Sequence, residues 1–360
     1  MRVVVVGAGV VGTSVAFRLA ERGTRVIVVE EDRPGAGATG TSFAWVNARR
    51  KPPRAYHDLN VAGMAAHAAL RAELGATPWW HGGGAMTWPV DEADVTRLHR
   101  WGYAVEEMSR EAVLAREPGL AAAALGNGPF AYFPDEGWLD AVVFAGAMLL
   151  RAETLGAEFR YGRVEDLVLE DERLEGVRLA DGSMIPADTV INCAGARVNS
   201  VVRDTALHVP MRPTRGLLVV TPAVATGLSR VLHTPGLNLR PDGAGRLLLH
   251  ADETDAGLDA NSTPASAAPA AASLMDAARK LLPAIGSATP DAVRIGTRAI
   301  PADGLTAIGP VPGLPGYHVA VTHSGVTLAA YLGRAMAMML AGGDMPADLA
   351  PFAAARFFRR

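Results

Sequence analysis

Several features that would narrow the class of this protein are missing from its sequence. Its 360 residues include one cysteine, Cys193, which excludes an intramolecular disulfide framework. The 34 Lys and Arg nearly balance the 37 Asp and Glu, so charge gives no reason to expect nucleic acid or an anionic membrane as a partner. No apolar run reaches the roughly 20 residues of a membrane span, because Arg18 and Glu21 close the one at the N-terminus. We therefore expect a cytoplasmic protein without a membrane span.

Metal-binding patterns are missing as well. No two of the nine histidines stand four residues apart around a glutamate, and Cys193 offers the only thiolate. The sequence thus predicts no metal site. What is present is a globular composition, with 49% hydrophobic and 20% charged residues. A chain of this length usually folds as two domains.

A glycine motif near the N-terminus indicates a binding site. The β-branched run Arg2–Val6 predicts a buried parallel strand, and Gly7-Ala8-Gly9-Val10-Val11-Gly12 follows it directly. Apolar residues at helical spacing predict a helix over Thr13–Arg22, and a second strand over Arg25–Val29 ends at Glu30. A signal peptide is the alternative interpretation of this apolar run, but a discarded leader needs neither the spaced glycines nor the second strand.

Each glycine in this motif has a mechanical reason. Gly7 permits a tight turn, Gly9 leaves room for a pyrophosphate, and Gly12 lets the helix pack close to the strand. The helix N-terminus offers free N–H groups to phosphates, and Glu30 is placed to accept hydrogen bonds from ribose hydroxyls. The pattern predicts dinucleotide binding. The alternative is a doubly wound fold whose crevice binds no dinucleotide. The pattern does not distinguish FAD from NAD.

Two later segments add to this prediction. The loop Pro34–Ser42 is rich in glycine and hydroxyl residues that can approach a second phosphate or a flavin, although a plain surface loop is the alternative. Near the C-terminus, a predicted strand over Gly316–Thr322 leads into His323-Ser324-Gly325-Val326-Thr327, which opens a helix running to about Leu340. The N-terminus of that helix can stabilise negative charge on a reduced flavin.

A family resemblance extends over the whole chain. Its most diagnostic part is Arg-Ala-Ile-Pro-Ala-Asp-Gly-Leu-Thr-Ala-Ile-Gly-Pro, which starts at Arg298. In order, the matching segments are Val3–Glu30, Asp135–Val164, Thr189–Ala196, Arg294–Pro310 and Tyr317–Leu340. With these segments the chain resembles the FAD-dependent amine and amino-acid oxidoreductases of the D-amino-acid oxidase group, which includes glycine oxidase, sarcosine oxidase and D-amino-acid dehydrogenases.

The resemblance implies a fold and a division into domains. The expected fold class is α/β (mixed α+β), with a Rossmann-type FAD-binding domain and a second, mainly antiparallel-sheet substrate domain. The FAD-binding domain would be discontinuous, formed by residues 1–80, 138–205 and 295–360. The substrate domain would be formed by residues 81–137 and 206–294.

The resemblance also implies a reaction, in which the flavin accepts a hydride from the carbon that bears the amine and the imine product hydrolyses. The substrate would be a small amine or amino acid, and oxygen or another molecule would accept the electrons. Whether the protein forms an oligomer is left open. The residues expected to bind the cofactor are Gly7, Ala8, Gly9, Val10, Val11, Gly12, Glu30, Glu31, Thr41, Ser42, Val164, Ala194, Gly195, Arg298, Ser324, Gly325, Val326 and Thr327.

Arg298 and His323 are the candidate catalytic residues. A carboxylate-bearing substrate needs a guanidinium in the pocket, and the resemblance places that role at Arg298, with a structural ion pair as the alternative. His323 either hydrogen-bonds the cofactor or the substrate amine, or caps its helix. For five further residues the sequence does not decide whether they line the pocket or lie elsewhere, namely Trp45, Tyr56, His57, Arg240 and His250.

Two departures from the family pattern narrow these expectations. Monomeric sarcosine oxidases attach flavin through a cysteine in the C-terminal region, which this chain lacks, so we predict noncovalent FAD. The segment Ser42–Asn47 lacks the basic and histidine pattern of the sarcosine branch, which leaves the substrate class open. The basic run Arg49-Arg50-Lys51 is interpreted as a solvated loop. The competing hypotheses are an NAD(P)-dependent dehydrogenase and a noncatalytic flavoprotein subunit.

Overall fold

The structure, a computed structural model, describes residues 1–212 and 214–358. Its α-helices are α1 (Val10–Ala20), α2 (Arg54–Leu74), α3 (Glu92–Arg100), α4 (Arg110–Arg116), α5 (Ala141–Thr154), α6 (Asp252–Asp255), α7 (Ala268–Leu281) and α8 (Gly325–Leu340). Among these described helices, none is long and apolar enough to span a lipid bilayer.

Short strands dominate the rest of the described chain. In chain order they are β1 (Arg2–Val6), β2 (Arg25–Glu30), β3 (Trp45–Val46), β4 (Trp80–His81), β5 (Ala85–Thr87), β6 (Glu106–Met108), β7 (Phe130–Phe133), β8 (Gly137–Leu139), β9 (Glu158–Tyr161), β10 (Val164–Glu170), β11 (Arg173–Leu179), β12 (Met184–Pro186), β13 (Thr189–Asn192), β14 (Met211–Arg212), β15 (Arg215–Val220), β16 (Val231–Thr234), β17 (Leu237–Pro241), β18 (Leu247–His250), β19 (Ala292–Thr297), β20 (Ile300–Pro301), β21 (Ala307–Pro310) and β22 (Tyr317–Val321).

A mainly parallel sheet contains the N-terminal strand. Its strands run in the order β21-β22-β13-β1-β2-β9, and the pair β21–β22 at one edge is antiparallel. Val3, Val4 and Val5 of β1 are fully buried, as a strand covered on both faces requires. The strand order reverses at β1, since β2 lies on one side and β13 on the other. Ligands of open α/β sheets bind beyond the carboxyl ends of the strands at such a point.

Two helices, α1 and α8, pack on this sheet, and two more pack against them. α1 packs against α5 and α8, and α8 also packs against α2. Gly333 of α8 lies on the backbone of Ser14 in α1, where any side chain would collide. β1 and β22 run parallel to β13 between them. Because α1 follows β1 and α8 follows β22, both helices begin at the same edge of the sheet.

A larger sheet is almost entirely antiparallel. Its strand order is β19-β15-β18-β17-β16-β5-β7-β6, and β16 with β5 is its parallel pair among the described residues. The strands come from residues 85–133 and 215–297. The predicted mixed α/β fold, with a Rossmann-type part and an antiparallel part, is confirmed. The division into a discontinuous FAD-binding domain and a substrate domain stays a prediction.

The first helix begins earlier than predicted. α1 starts at Val10, whereas the sequence pattern places its start at Thr13. Gly9 has an extended backbone and is itself the N-cap residue, so the helix starts inside the glycine motif. Gly12 therefore lies in the first helical turn, where the amide groups that could bind phosphate are found.

The sequence over Leu139–Leu155 predicts a helix with Asp140 as its N-cap. The helix begins two residues after Leu139, at Ala141. Leu139 is the last residue of β8 and pairs with β4 in a small sheet. Asp140 is the N-cap, as predicted, because its Oδ1 accepts the Val143 N–H at 3.1 Å. The predicted N-cap is thus correct. The helix begins later than predicted because Leu139 pairs with β4 as part of a strand.

Candidate active site

One deep cavity lies between the parallel sheet and the antiparallel sheet. Its volume is about 840 Å³, and residues from both sheets line it. The part lined by Gly9, Glu30 and Thr39 is called the loop half here. The part lined by Asn238, His250 and Arg298 is called the network half.

Backbone geometry forms the loop half. Gly7 has a φ of +99°, in the left-handed region that favours glycine. A Cβ at Gly12 would collide with the Gly7 carbonyl oxygen, and one at Gly9 would come within 3.1 Å of Thr39 Oγ1. Val10 N donates to Thr39 Oγ1 at 3.1 Å. The N-cap residue, Gly9, has no side chain that could cap the helix. The other N–H groups in the first turn of α1 therefore stay available to an anion.

Glu30 is fixed by main-chain groups at the end of β2. Its Oε2 accepts the Ala8 N–H at 2.8 Å, and its Oε1 accepts the Asp32 N–H at 3.1 Å. Each carboxylate oxygen keeps a second lone pair that can accept a ribose hydroxyl. The next residue, Glu31, lines the cavity and forms an ion pair with Arg197.

The N-terminus of α8 opens into the same cavity. Ser324 precedes the helix, and its Oγ accepts from Lys51 Nζ at 2.7 Å and from the Tyr56 hydroxyl at 2.9 Å. Burial lowers the pKa of Lys51 to about 8. His323 is open to the cavity, yet the surrounding protein and the positive charges of Lys51 and Arg298 lower its pKa to about 4. The His323 ring is therefore neutral at pH 7.

A buried carboxylate holds Arg298 in the network half. The Arg298 Nη2 contacts Asp255 Oδ2 and lies 3.1 Å from His250 Nε2. The Asp255 side chain is 6% exposed, and its Oδ1 accepts the Leu217 N–H at 2.7 Å. Arg298 packs over Gly216, where a Cβ would come within 3.1 Å of Nε. The ion pair considered as an alternative for Arg298 is thus present, while Arg298 also lines the cavity.

A directed hydrogen-bond chain leads from Arg50 to Asp255. Register places His233 opposite Asn238, and Asn238 opposite His250, on three adjacent strands. Arg50 Nη1 donates to His233 Nε2 at 3.0 Å, so His233 carries its proton on Nδ1, which contacts Asn238 Oδ1. Asn238 Nδ2 donates to His250 Nδ1 at 3.1 Å, and His250 Nε2 donates to Asp255 Oδ2 at 2.8 Å. Along this chain each donor meets an acceptor, which assigns both imidazole tautomers. With this assignment Arg298 Nη2 donates to Asp255 and not to His250 Nε2.

One group in this half has the spacing of a metal site. Ligand atoms of His250, Asp252 and Asp255 lie within 4.8 Å of one another. The Arg298 guanidinium contacts both His250 and Asp255, so a cation already occupies the position beside them. Within the described residues this group is an ion-pair network, and we infer no metal site from it.

Most of the predicted site residues line the cavity. Ala8 and Gly12 do not, because Ala8 faces Glu30 and Gly12 packs behind Gly7. Their contribution is to shape the loop, and the assignment of the whole set to cofactor or substrate stays a prediction. The predicted residues that line the cavity are Gly7, Gly9, Val10, Val11, Glu30, Glu31, Thr41, Ser42, Val164, Ala194, Gly195, Arg298, His323, Ser324, Gly325, Val326 and Thr327.

Of the residues whose roles the sequence did not decide, some line the cavity and others lie in the core. Trp45 and His250 line the cavity. Tyr56 is buried and reaches the cavity wall through its bond to Ser324. His57 is 1% exposed and belongs to the core.

Arg240 faces neither the cavity nor solvent. It is 3% exposed, and its Nε donates to the Phe43 carbonyl oxygen at 2.6 Å. Its Nη1 is paired with Asp242 at 3.0 Å. Burial lowers the pKa of Arg240 to about 10. Arg240 therefore supports the loop that contains Phe43 from behind the cavity.

The interpretation of Arg49, Arg50 and Lys51 as a solvated loop is wrong for Arg49, which is buried, and for Lys51, which is half-buried, whereas Arg50 is exposed. All three residues line the cavity. Arg49 is 6% exposed, and its Nε donates to Glu136 Oε1 at 2.9 Å. Three consecutive cations, separated from the glycine-rich loop by only six residues, were a signal for this placement. Asp255 and Asn238 were also missed, and neither stands in a motif.

Comparisons with known proteins agree with this geometry. The profile of the family described as FAD dependent oxidoreductase matches residues 2–339. The chain is 27% identical to a glycine oxidase of Pseudomonas aeruginosa over 98% of each protein. It is 26% identical to the hydrogen cyanide synthase subunit HcnC of the same organism, over 99% of this chain and 96% of that protein. The crystal structure of glycine oxidase from Geobacillus kaustophilus aligns over 99% of both chains, with a TM-score of 0.84 and 25% identity.

The chain belongs to this family of FAD-dependent oxidoreductases. The described residues fit the cofactor, because the cradle at Gly9 is open where a side chain would fill it and Glu30 is placed at the end of β2. The predicted D-amino-acid oxidase group, whose chemistry is FAD-dependent oxidation of an amine C–N bond, is confirmed. The competing hypothesis of an NAD(P)-dependent dehydrogenase is not supported.

Proposed function

We propose that this protein oxidises the C–N bond of a small amine or amino acid that carries a carboxylate. The proposal is supported by one observation above all, the single cavity that joins the glycine loop to Arg298 and His250. FAD, when bound, supplies the two-electron acceptor for the hydride, and the imine product hydrolyses afterwards. The side chains around the cavity then have to bind the substrate, orient it and keep its nitrogen neutral.

Arg298 would bind the substrate carboxylate. Asp255 holds its Nη2 and Gly216 lies beneath it, so the guanidinium has a fixed place in the cavity wall. Nη1 makes no hydrogen bond to any residue in 1–212 or 214–358, which leaves it for a ligand. Because Asp255 already uses one N–H of Nη2, we expect Nη1 to make the main charge-assisted hydrogen bond to the substrate carboxylate.

His323 would accept a hydrogen bond from the substrate amine. Hydride loss from the carbon needs a lone pair on the adjacent nitrogen, so the amine has to be neutral. With a pKa of about 4, His323 offers an unprotonated ring nitrogen at neutral pH. That nitrogen can orient an N–H of the amine without transferring a proton to it.

Anaerobic mixing tests this function. The purified holoenzyme is mixed with a panel of D-amino acids, N-methyl amino acids and simple amines while the visible flavin bands are recorded. Bleaching by one class identifies the substrate class, and admission of air then distinguishes an oxidase from a dehydrogenase. A yellow protein that no amine bleaches would contradict the substrate assignment and favour the noncatalytic flavoprotein subunit.

Noncovalent attachment of FAD is part of the proposal. Cys193 lines the cavity, but burial raises the pKa of its thiol to about 12. A cysteinyl link to flavin needs a nucleophilic thiolate, which this environment suppresses. Precipitation with acid should release all of the flavin into the supernatant, whereas yellow colour in the washed pellet would contradict the proposal. The electron acceptor, the cytoplasmic location and the oligomeric state stay predictions.

A further inference from the structure

Lys51 places a cationic group in the cavity beside the N-terminus of α8. Its Nζ donates to Ser324 Oγ at 2.7 Å, and the Tyr56 hydroxyl contacts the same oxygen at 2.9 Å. No carboxylate of the described chain lies within ion-pair distance of the Lys51 ammonium. Lys51 is therefore held by the Ser324 hydroxyl, which fixes the position of the ammonium without neutralising its charge.

The neighbouring cations are arranged differently. Arg49 is paired with the buried Glu136 at 2.9 Å, and Arg298 is paired with Asp255. An ammonium that is half-buried in a cavity and has no carboxylate partner carries a desolvation cost. Burial accordingly lowers the pKa of Lys51 to about 8, although the negative charge of Glu136 raises it in part. Among Arg49, Lys51 and Arg298, the charge of Lys51 is therefore the one that an anionic group in the cavity would stabilise most.

The end of α8 adds positive charge at the same place. Ser324 is the N-cap, and within the described residues its side chain makes no capping hydrogen bond. Gly325, Val326 and Thr327 form the first turn and line the cavity. Their N–H groups have no partner within the helix, and the helix dipole is positive at this end. The partial charge of the helix and the full charge of Lys51 thus act on one region of the cavity.

We propose that the Lys51 ammonium stabilises the negative charge that bound flavin acquires on reduction, and so raises the reduction potential of the flavin. This inference depends on FAD binding, which the family establishes, and not on the proposed amine substrate. The stabilisation is present while Lys51 is protonated and is lost as pH rises through about 8. 

Other groups around Lys51 do not give this pH dependence. Glu136 is paired with Arg49, and His323 is already neutral above a pH of about 4. Ser324 and Tyr56 contribute hydroxyl groups. Around His323, the negative charge of Asp252 opposes the positive charges of Arg298 and Arg212. A step near pH 8 can therefore be assigned to Lys51.

Sulfite binding to the holoenzyme measures this effect without any amine. Sulfite adds to N5 of the oxidised flavin and leaves negative charge on the ring, and the dissociation constant is obtained from the loss of visible absorbance. Lys51→Met removes the charge, Lys51→Arg keeps one, and Arg54→Met is the matched control because Arg54 is exposed and paired with Asp58. At pH 7 we expect Lys51→Met to weaken sulfite binding by about tenfold or more. Lys51→Arg and Arg54→Met should stay within about twofold of wild type.

The pH profile gives the second arm of the test. Dividing the sulfite dissociation constant of wild type by that of Lys51→Arg removes the ionisation of sulfite itself. The ratio should rise as pH passes through about 8. A ratio that stays flat on both sides of this pH would overturn the proposal, even if Lys51→Met fails to retain FAD. Unchanged sulfite affinity in Lys51→Met, with a raised KM for an amine, would also overturn it and assign Lys51 to the substrate.

Discussion

The loop half and the network half of one cavity are built in different ways. In the loop half, the positions of Gly7 and Gly12 are fixed by close backbone contact, and Glu30 is held by main-chain N–H groups. In the network half, His250 and Arg298 meet at the carboxylate of Asp255, which belongs to a third segment. Contacts between side chains therefore replace contacts to the backbone.

This difference has a consequence for what each half can recognise. A backbone cradle cannot be changed without rebuilding the fold, so it suits a cofactor whose phosphates and ribose are constant. A side-chain network can be altered one residue at a time, so it suits the selection of a substrate. We expect changes in the loop half to affect FAD and everything that depends on it, and changes in the network half to affect the substrate alone.

The largest effect is expected from Gly12→Val in the loop half. The new side chain would collide with the Gly7 carbonyl oxygen, so α1 would be pushed away from the glycine turn. We expect FAD affinity to fall by on the order of a hundredfold or more. Fluorescence titration of the apoprotein with FAD measures this.

Gly37→Ala is the matched control for the same loop half. A Cβ at Gly37 has no heavy atom of the described residues within 4 Å, and Gly37 also lines the cavity. Its FAD affinity should stay within about twofold of wild type. Equal losses in Gly12→Val and Gly37→Ala would refute the idea that backbone contact determines this half.

A smaller and more selective effect is expected from Asp255→Asn in the network half. Asn keeps an oxygen for His250 but removes the charge that holds Arg298. We expect KM for a carboxylate substrate to rise about tenfold, with kcat and FAD affinity within about twofold of wild type. Steady-state kinetics with the substrate found in the amine panel measures this.

Asp259→Asn is the control for this charge change, because Asp259 is exposed in the loop that follows α6. A similar rise in KM for both variants would show that the effect comes from overall charge. A fall in kcat at unchanged KM in Asp255→Asn would show that the carboxylate does not act by positioning Arg298.

A separate effect, on stability and not on binding, is expected behind the cavity. His67 is 1% exposed, its Nε2 donates to the Val326 carbonyl oxygen at 2.8 Å, and burial lowers its pKa to about 4. An unfolded histidine takes up a proton near pH 6.5, whereas folded His67 does so only near pH 4. Unfolding therefore binds a proton between these values, and the free energy of unfolding should fall by about 3 kcal/mol as pH drops through this range.

Denaturant unfolding of His67→Gln checks this prediction. Glutamine keeps an N–H donor for Val326 but does not titrate, so the pH dependence should be flatter than in wild type. His99→Gln, at an exposed position of α3, should leave the wild-type dependence unchanged. Parallel curves for wild type and His67→Gln would contradict the assignment.

The loop half could be predicted from the sequence because its parts are close along the chain. Strand, glycine turn, helix and acidic residue all lie within Arg2–Glu30, and backbone sterics at this range depend little on the rest of the fold. The start of α1 was misplaced because the apolar spacing becomes clear only after the first turn. The spacing of glycines alone did not show that Gly9 is the N-cap.

The network half could not be predicted in the same way. Asn238 meets His233 and His250 through strand register, which no local pattern encodes. Asp255 lies in a short helix and reaches Arg298 from 43 positions away in the sequence. Arg298 was found only through the family resemblance.

The division between the halves is tested most directly by two dissociation constants measured on Arg298→Ala. One is that of FAD, and the other is that of a carboxylate substrate or competitive inhibitor, read from its perturbation of the flavin spectrum. We predict a dissociation constant for FAD within about twofold of wild type and one for the carboxylate ligand raised by about 30-fold. A parallel loss of FAD affinity, or a carboxylate ligand bound as tightly as in wild type, would contradict it.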